Sequence, residues 1–209
     1  MQFRTIVSAF YLDPATTVPD LAVLVRRAGV RDVRPLTNND RIALGFFEPG
    51  REILGGTWGV FHTTWAVLDL VEGLVCLQLY SPYVRFLDAS IRDSENNPGG
   101  QDTTLAYVRT FGDACLELNP SAAFLDTRAH YEDRQWQDQE GNRDWVLGQA
   151  KLVAADDVNA LADERVSVLY LSEPLTLRWN SDPVRDNRDI IELPTGRLIF
   201  AWRGPARMA

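Results

Sequence analysis

The sequence predicts an α+β protein built on an antiparallel β-sheet, a meander, with helices packed mainly on one face to give two layers. Three observations carry this. Residues 74–80, Leu-Val-Cys-Leu-Gln-Leu-Tyr, form an apolar run of strand length between Gly73 and Pro82. Residues 41–47 and 57–71 are rich in β-branched and aromatic side chains and alternate along the chain, the period of a pleated strand. The strongest amphipathic helix, residues 102–118, follows these strands and can lie across the sheet they make.

Taken in order, residues 3–12 read as a strand ended by Asp13-Pro14. Thr17 is expected to cap a short helix, with Asp20 near its positive end. Leu21, Leu24, Val25 and Ala28 make its apolar stripe, Arg26 and Arg27 suit its last turn, and Gly29 supplies a left-handed stop. Val33 and Leu36 belong to a short extended segment before an Asn38-Asn39-Asp40 turn. Ile42, Leu44 and Phe46 share one face of the strand after it. Glu48-Pro49-Gly50 and Gly55-Gly56 read as turns. Residues 57–71 read as strand, with a strand-then-helix break near Thr63 as the alternative, and Glu72-Gly73 as a hairpin turn.

Beyond Pro82, residues 83–91 alternate again, and residues 94–100 are turn formers. Asp102 is then expected to cap the long helix. Leu105, Val108, Gly112 and Cys115 line its buried face with Phe111, Ala114 and Leu118 beside them. Arg109, Thr110, Asp113 and Glu117 form the polar stripe, and Asn119-Pro120 stops the helix. The second half carries a strand at 122–125, a very polar stretch at 130–142 and a helix at 144–152. A short helix capped by Asp156, a buried strand at 166–171 and a hairpin around Pro194-Thr195-Gly196 complete the chain. The length of 209 residues suits a single α+β domain over 1–209, with room for a C-terminal subdomain from about residue 121.

Composition narrows the function. A 45% hydrophobic, 24% charged chain is typical of soluble globular proteins, and no apolar run approaches the ~18 residues of a membrane span. Residues 1–7 lack the basic region and apolar core of a signal peptide, so a cytoplasmic location is expected. A net charge of −8 and a pI near 4.8 argue against nucleic-acid binding, which rests on accumulated Lys and Arg. Cys76 and Cys115 occupy apolar positions without metal-ligand spacing, so they read as small core residues.

Phosphate-loop, nucleophile-elbow, H-E-x-x-H and EF-hand signatures are absent, and no cofactor is expected. His62 lies in an apolar alternation and reads as a hydrogen-bonded core or sheet-face histidine. His130, with Asp126 and Glu132 nearby, is the remaining candidate for a metal ligand or a carboxylate-oriented base, because on a helix Asp126 and His130 would share one face. These three residues carry the alternative expectation of an enzyme or small-ligand-binding protein of unknown class. Read otherwise, this is a charged segment leaving a strand. Six tryptophans are generous for this length; Trp136 and Trp145, set among acids and amides, are the two expected to reach the surface. Trp136 with Glu132, Asp133, Asp138 and Glu140 has the composition of an aromatic anchor in an acidic rim. The expected partner is therefore another protein, basic in character, bound by an acidic regulatory or immunity-type module. A merely solvated face is the competing reading.

Overall fold

The structure is a computed structural model that describes residues 5–38, 50–59, 61–82, 98–126, 139–161, 166–179 and 189–200. Among them, nine strands form one sheet: β1 (Thr5–Leu12), β2 (Arg31–Pro35), β3 (Leu54–Trp58), β4 (Phe61–Val71), β5 (Leu74–Pro82), β6 (Ala122–Asp126), β7 (Val166–Ser172), β8 (Asp189–Leu193) and β9 (Gly196–Phe200). The helices are α1 (Leu21–Arg27), α2 (Pro98–Leu118), α3 (Gln139–Ala154), α4 (Val158–Leu161) and α5 (Glu173–Thr176).

The sheet runs β2-β3-β4-β5-β1-β6-β7-β9-β8, and every neighbouring pair is antiparallel. The α+β class and the antiparallel sheet agree with the sequence. The meander holds for β2 to β5, after which the chain's first strand is inserted at the centre. Its composition explains this: Val7, Ala9 and Tyr11 on one face and Ser8, Phe10 and Leu12 on the other are all buried. A strand apolar on both faces must be covered on both.

That requirement corrects the two-layer expectation. Phe10, Leu12, Val75, Leu77, Leu79, Ala123, Leu125 and Tyr170 face α1 and α2, which contribute Leu21, Leu24, Val25, Tyr107, Val108, Phe111, Ala114, Cys115 and Leu118. On the opposite face Val7, Ala9, Tyr11, Trp65, Val67, Cys76, Tyr80 and Phe124 meet α3, α4 and the segment around α5, through Val146, Ala150, Val153, Val158, Leu161, Leu175 and Trp179. Helices cover both faces, and the sheet is the middle layer.

Several local expectations shift. Asp20, not Thr17, caps α1, its carboxylate accepting from the Val23 amide at 2.9 Å. Gly29 ends the helix at φ +86°, as its sequence position predicts. α2 begins at Pro98 rather than after Asp102, and the fixed φ of proline suits a first helical turn. Asn119 takes the left-handed stop at φ +52°, its amide donating to the Cys115 carbonyl at 2.9 Å. Asp157, not Asp156, caps α4, accepting from the Ala160 amide at 3.3 Å.

Gly55-Gly56 is no turn but the middle of β3. A Cβ at Gly56 would sit 2.5 Å from the Arg31 carbonyl oxygen, so these glycines admit β2 alongside β3. The turn falls at Gly59, which separates β3 from β4; residues 61–71 are a single strand. The Glu72-Gly73 hairpin forms as expected, with both residues at positive φ. The strand expected at 41–47 and the alternation at 83–91 lie outside the described residues.

Candidate functional site

The residues singled out by sequence do not gather into one described site. Asp126 closes β6, a strand paired on both sides, so it shares no helical face with His130. Glu140 lies in the first turn of α3. His130, Glu132, Asp133, Trp136 and Asp138 fall outside the described residues, in the connection 127–138 between β6 and α3. His62 lies in β4.

The cysteines behave as the sequence implies. Both are buried free thiols on opposite faces of the sheet, Cys76 beside Tyr11 and Tyr80 and Cys115 on α2 beneath the first helical layer. Burial pushes the Cys115 thiol well up. It does the same to Cys76, where the Asp69 carboxylate adds to the shift. Neither can supply a thiolate near neutral pH.

The described tryptophans are structural. Trp58 is fully buried, donates its indole N–H to the Ala28 carbonyl at 2.8 Å and meets Tyr107 edge-on at 5.5 Å. Trp65 stacks on Tyr80 with ring centroids 6.3 Å apart. Trp145, expected at the surface, is half-buried and packs edge-on against Phe124 at 4.8 Å. Its acidic neighbours in sequence masked this: α3 turns Val146, Ala150 and Val153 inward and carries the Trp145 ring down beside them.

The most organised polar arrangement was not legible in the sequence. Asp69 Oδ2 accepts from the Arg51 guanidinium at 2.6 Å and from the Gln78 amide at 2.7 Å. Gln78 Oε1 in turn accepts from the Tyr80 hydroxyl at 2.5 Å. Asp69 thus fixes the orientation of the Gln78 amide, and through it the Tyr80 proton. No spacing rule joins Arg51 to Asp69, because the β3–β4 register, continued into the chain before β3, brings them together. Opposite, on the α2 face, the polar groups are hydroxyls: Ser8 with Tyr107 at 2.9 Å and Thr64 with Ser81 at 3.0 Å.

Chemically, the chain from Arg51 to Tyr80 directs its polar atoms at one another and suits positioning more than catalysis. Among the described residues, no group of His, Cys, Asp and Glu has the clustering of a metal site. Two further carboxylates after α3 have internal roles: Asp156 pairs with Arg178, and Asp157 caps α4. No described helix is long and apolar enough to cross a membrane.

No family model matches the chain, and no curated protein matches it. Among solved structures it is similar to a Pseudomonas aeruginosa T6SS protein, PA0821, with a TM-score of 0.44 and 12% identity over 95% of this chain. The chain spans 65% of that protein's length. So distant a likeness carries no functional argument.

Proposed function

We propose that the chain is a cytoplasmic protein-binding module of regulatory or immunity type, not an enzyme, and that its partner is a basic protein. The observation that carries this reading is the composition of the connection between β6 and α3. Glu132, Asp133 and Asp138 in that connection, and Glu140 just inside α3, lie close to Trp136 in a sequence of net charge −8. The acids would attract a basic surface at long range, and the indole would supply the desolvated contact after encounter. The frame on either side supports such a role. β6 is paired on both edges, and α3 is held by its buried residues and by the Tyr11 hydroxyl, which donates to the Val146 carbonyl at 2.7 Å. A binding segment joined at both ends to fixed elements has less conformational freedom to lose on association.

The test is kinetic. A partner is isolated by affinity capture from a lysate of the source organism, and its association is then measured directly. Raising salt through roughly 0.05–0.5 M should slow association, and charge reversal at Glu132, Asp133, Asp138 and Glu140 should lower the on-rate at low salt. Trp136→Ala should instead raise the off-rate, at a cost of about 2 kcal/mol or more for a hot-spot aromatic. A partner indifferent to salt and to both sets of substitutions would reduce the segment to a solvated face.

A further inference from the structure

The sheet ends in β2 on one side and β8 on the other, and these edges are not alike. β2 presents Arg31, Asp32, Arg34 and Pro35, all four exposed, around the half-buried Val33. Asp32 stands at φ +54°, the pairing with β3 shifts register between Arg31 and Arg34, and Pro35 has no N–H to donate. Charge, an irregular register and proline are the means by which an edge strand is kept from pairing with another chain.

β8 has no proline, and its five residues pair with β9 in unbroken register from Asp189↔Phe200 to Leu193↔Gly196. Among the described residues, no strand pairs with its outer side. Ile190 packs partly against the core on the α3 face, and Leu193 partly against the core under α1 and α2. Ile191 is 46% exposed, although Leu198, directly across from it in β9, is only 2% exposed. α2 comes down on β9, where a Cβ at Gly112 would stand 3.3 Å from the Leu198 side chain, and Ile191 lies one strand further out.

We propose that the outer edge of β8 pairs with β8 of a second copy of this chain, antiparallel about a twofold axis at Ile191, and so continues the sheet across a homodimer. The residues of β8 select this register. Centred on Ile191, the pairing sets Ile191 against its own copy, Asp189 against Leu193 and Ile190 against Glu192. All five residues then pair, and no like charges oppose. Centring on Asp189 or Glu192 would set a carboxylate against itself, and centring on Ile190 or Leu193 would pair only part of β8. Directly opposed residues of an antiparallel pair point to the same face, so the two copies of Ile191 cover one another. Each copy carries a net charge of −8, so the dimer forms against mutual repulsion and salt strengthens it. Dimerisation and capture of a basic partner therefore respond to salt in opposite directions, and either can fail without the other.

The experiment is sedimentation of the full-length protein from about 1 μM to about 1 mM, at low and high salt. The mass should rise from 23.5 kDa towards twice that value with concentration, and more readily at high salt. Ile191→Asp, which sets a charge against its own copy, should raise the dimer dissociation constant about tenfold or more. Ile191→Cys should give an interchain disulfide on mild oxidation, since directly opposed residues stand about 4.5–5.5 Å apart at Cα, within disulfide reach. Glu192→Cys, displaced from its own copy along the strand, should cross-link about tenfold less. Cys76 and Cys115 are fully buried, so cross-linking reports on the introduced thiol. A protein that keeps monomer mass throughout overturns the proposal. So does a dimer that Ile191→Asp leaves unchanged, or equal cross-linking at positions 191 and 192. Should Ile191→Asp not fold, the two cysteine variants decide by themselves.

Discussion

The two faces of the sheet are built differently. The face under α1 and α2 is closed by helices whose apolar stripes are plain in the sequence. Among its described interior polar groups, Ser8 with Tyr107 and Thr64 with Ser81 are neutral hydroxyls bonded in pairs. The face under α3 and α4 is closed by helices from a stretch that reads as polar, and it admits an ion pair and an amide, Arg51–Asp69 with Gln78. The difference shows how one sheet can be sealed rigidly on one side while retaining charge on the other. Neutral hydroxyl pairs carry a small desolvation cost, whereas a half-buried ion pair is stable only while both partners and their hydrogen bonds are in place.

The largest test of the first face is Val108→Asp. Val108 is 6% exposed and packed in the core under α2, so an unpaired carboxylate there costs several kcal/mol and should abolish cooperative folding. A soluble, cooperatively melting variant would overturn the placement of α2.

Cysteine truncation compares the faces directly. Cys76→Ala and Cys115→Ala together should cost roughly 1–3 kcal/mol in denaturant unfolding, with partner binding retained. Each single variant should take a share of that loss. Loss of binding on replacing either thiol would contradict its purely packing role.

Alkaline titration should reach both faces at once. Burial raises the pKa of Tyr107 and Cys115 under α2, and of Tyr11 and Cys76 under α3. For groups whose folded pKa lies above the ordinary value, the stabilising contribution is fully present below that value and is lost as pH rises. Stability from these groups should therefore be level at neutral pH and fall as pH climbs above about 9, the ordinary thiol value, and further above 10, the tyrosine value. A chemical-denaturation midpoint unchanged between neutral pH and pH 11 would contradict the burial of these groups.

The smallest expected effects separate the two hydroxyl anchors. Tyr107→Phe leaves Ser8 without that partner, and Tyr11→Phe removes one of the contacts to the Val146 carbonyl of α3. Each should cost about 1 kcal/mol. Tyr11→Phe should in addition speed hydrogen exchange in α3 relative to α2. Equal acceleration of the two helices would remove the distinction drawn between the faces.

Much of the local structure was already written in the chain. Gly29 stops α1, Glu72-Gly73 turns the β4–β5 hairpin, Asn119-Pro120 ends α2, and the apolar setting of Cys76 and Cys115 foretold their burial. These depend on sterics and hydrogen bonds within a few residues, where side-chain identity is enough. The candidate site was legible only as a composition, an indole among acids, with Asp126 placed by the structure at the end of a strand instead of on a helix. Tertiary structure alone decided the rest. Many apolar strands could have paired with one another, and the order was set by the need to bury both sides of β1, which drew α3 onto the second face. The same folding brought Ser8 to Tyr107 across 99 residues and Tyr11 to Val146 across 135, contacts whose partners no local pattern can name.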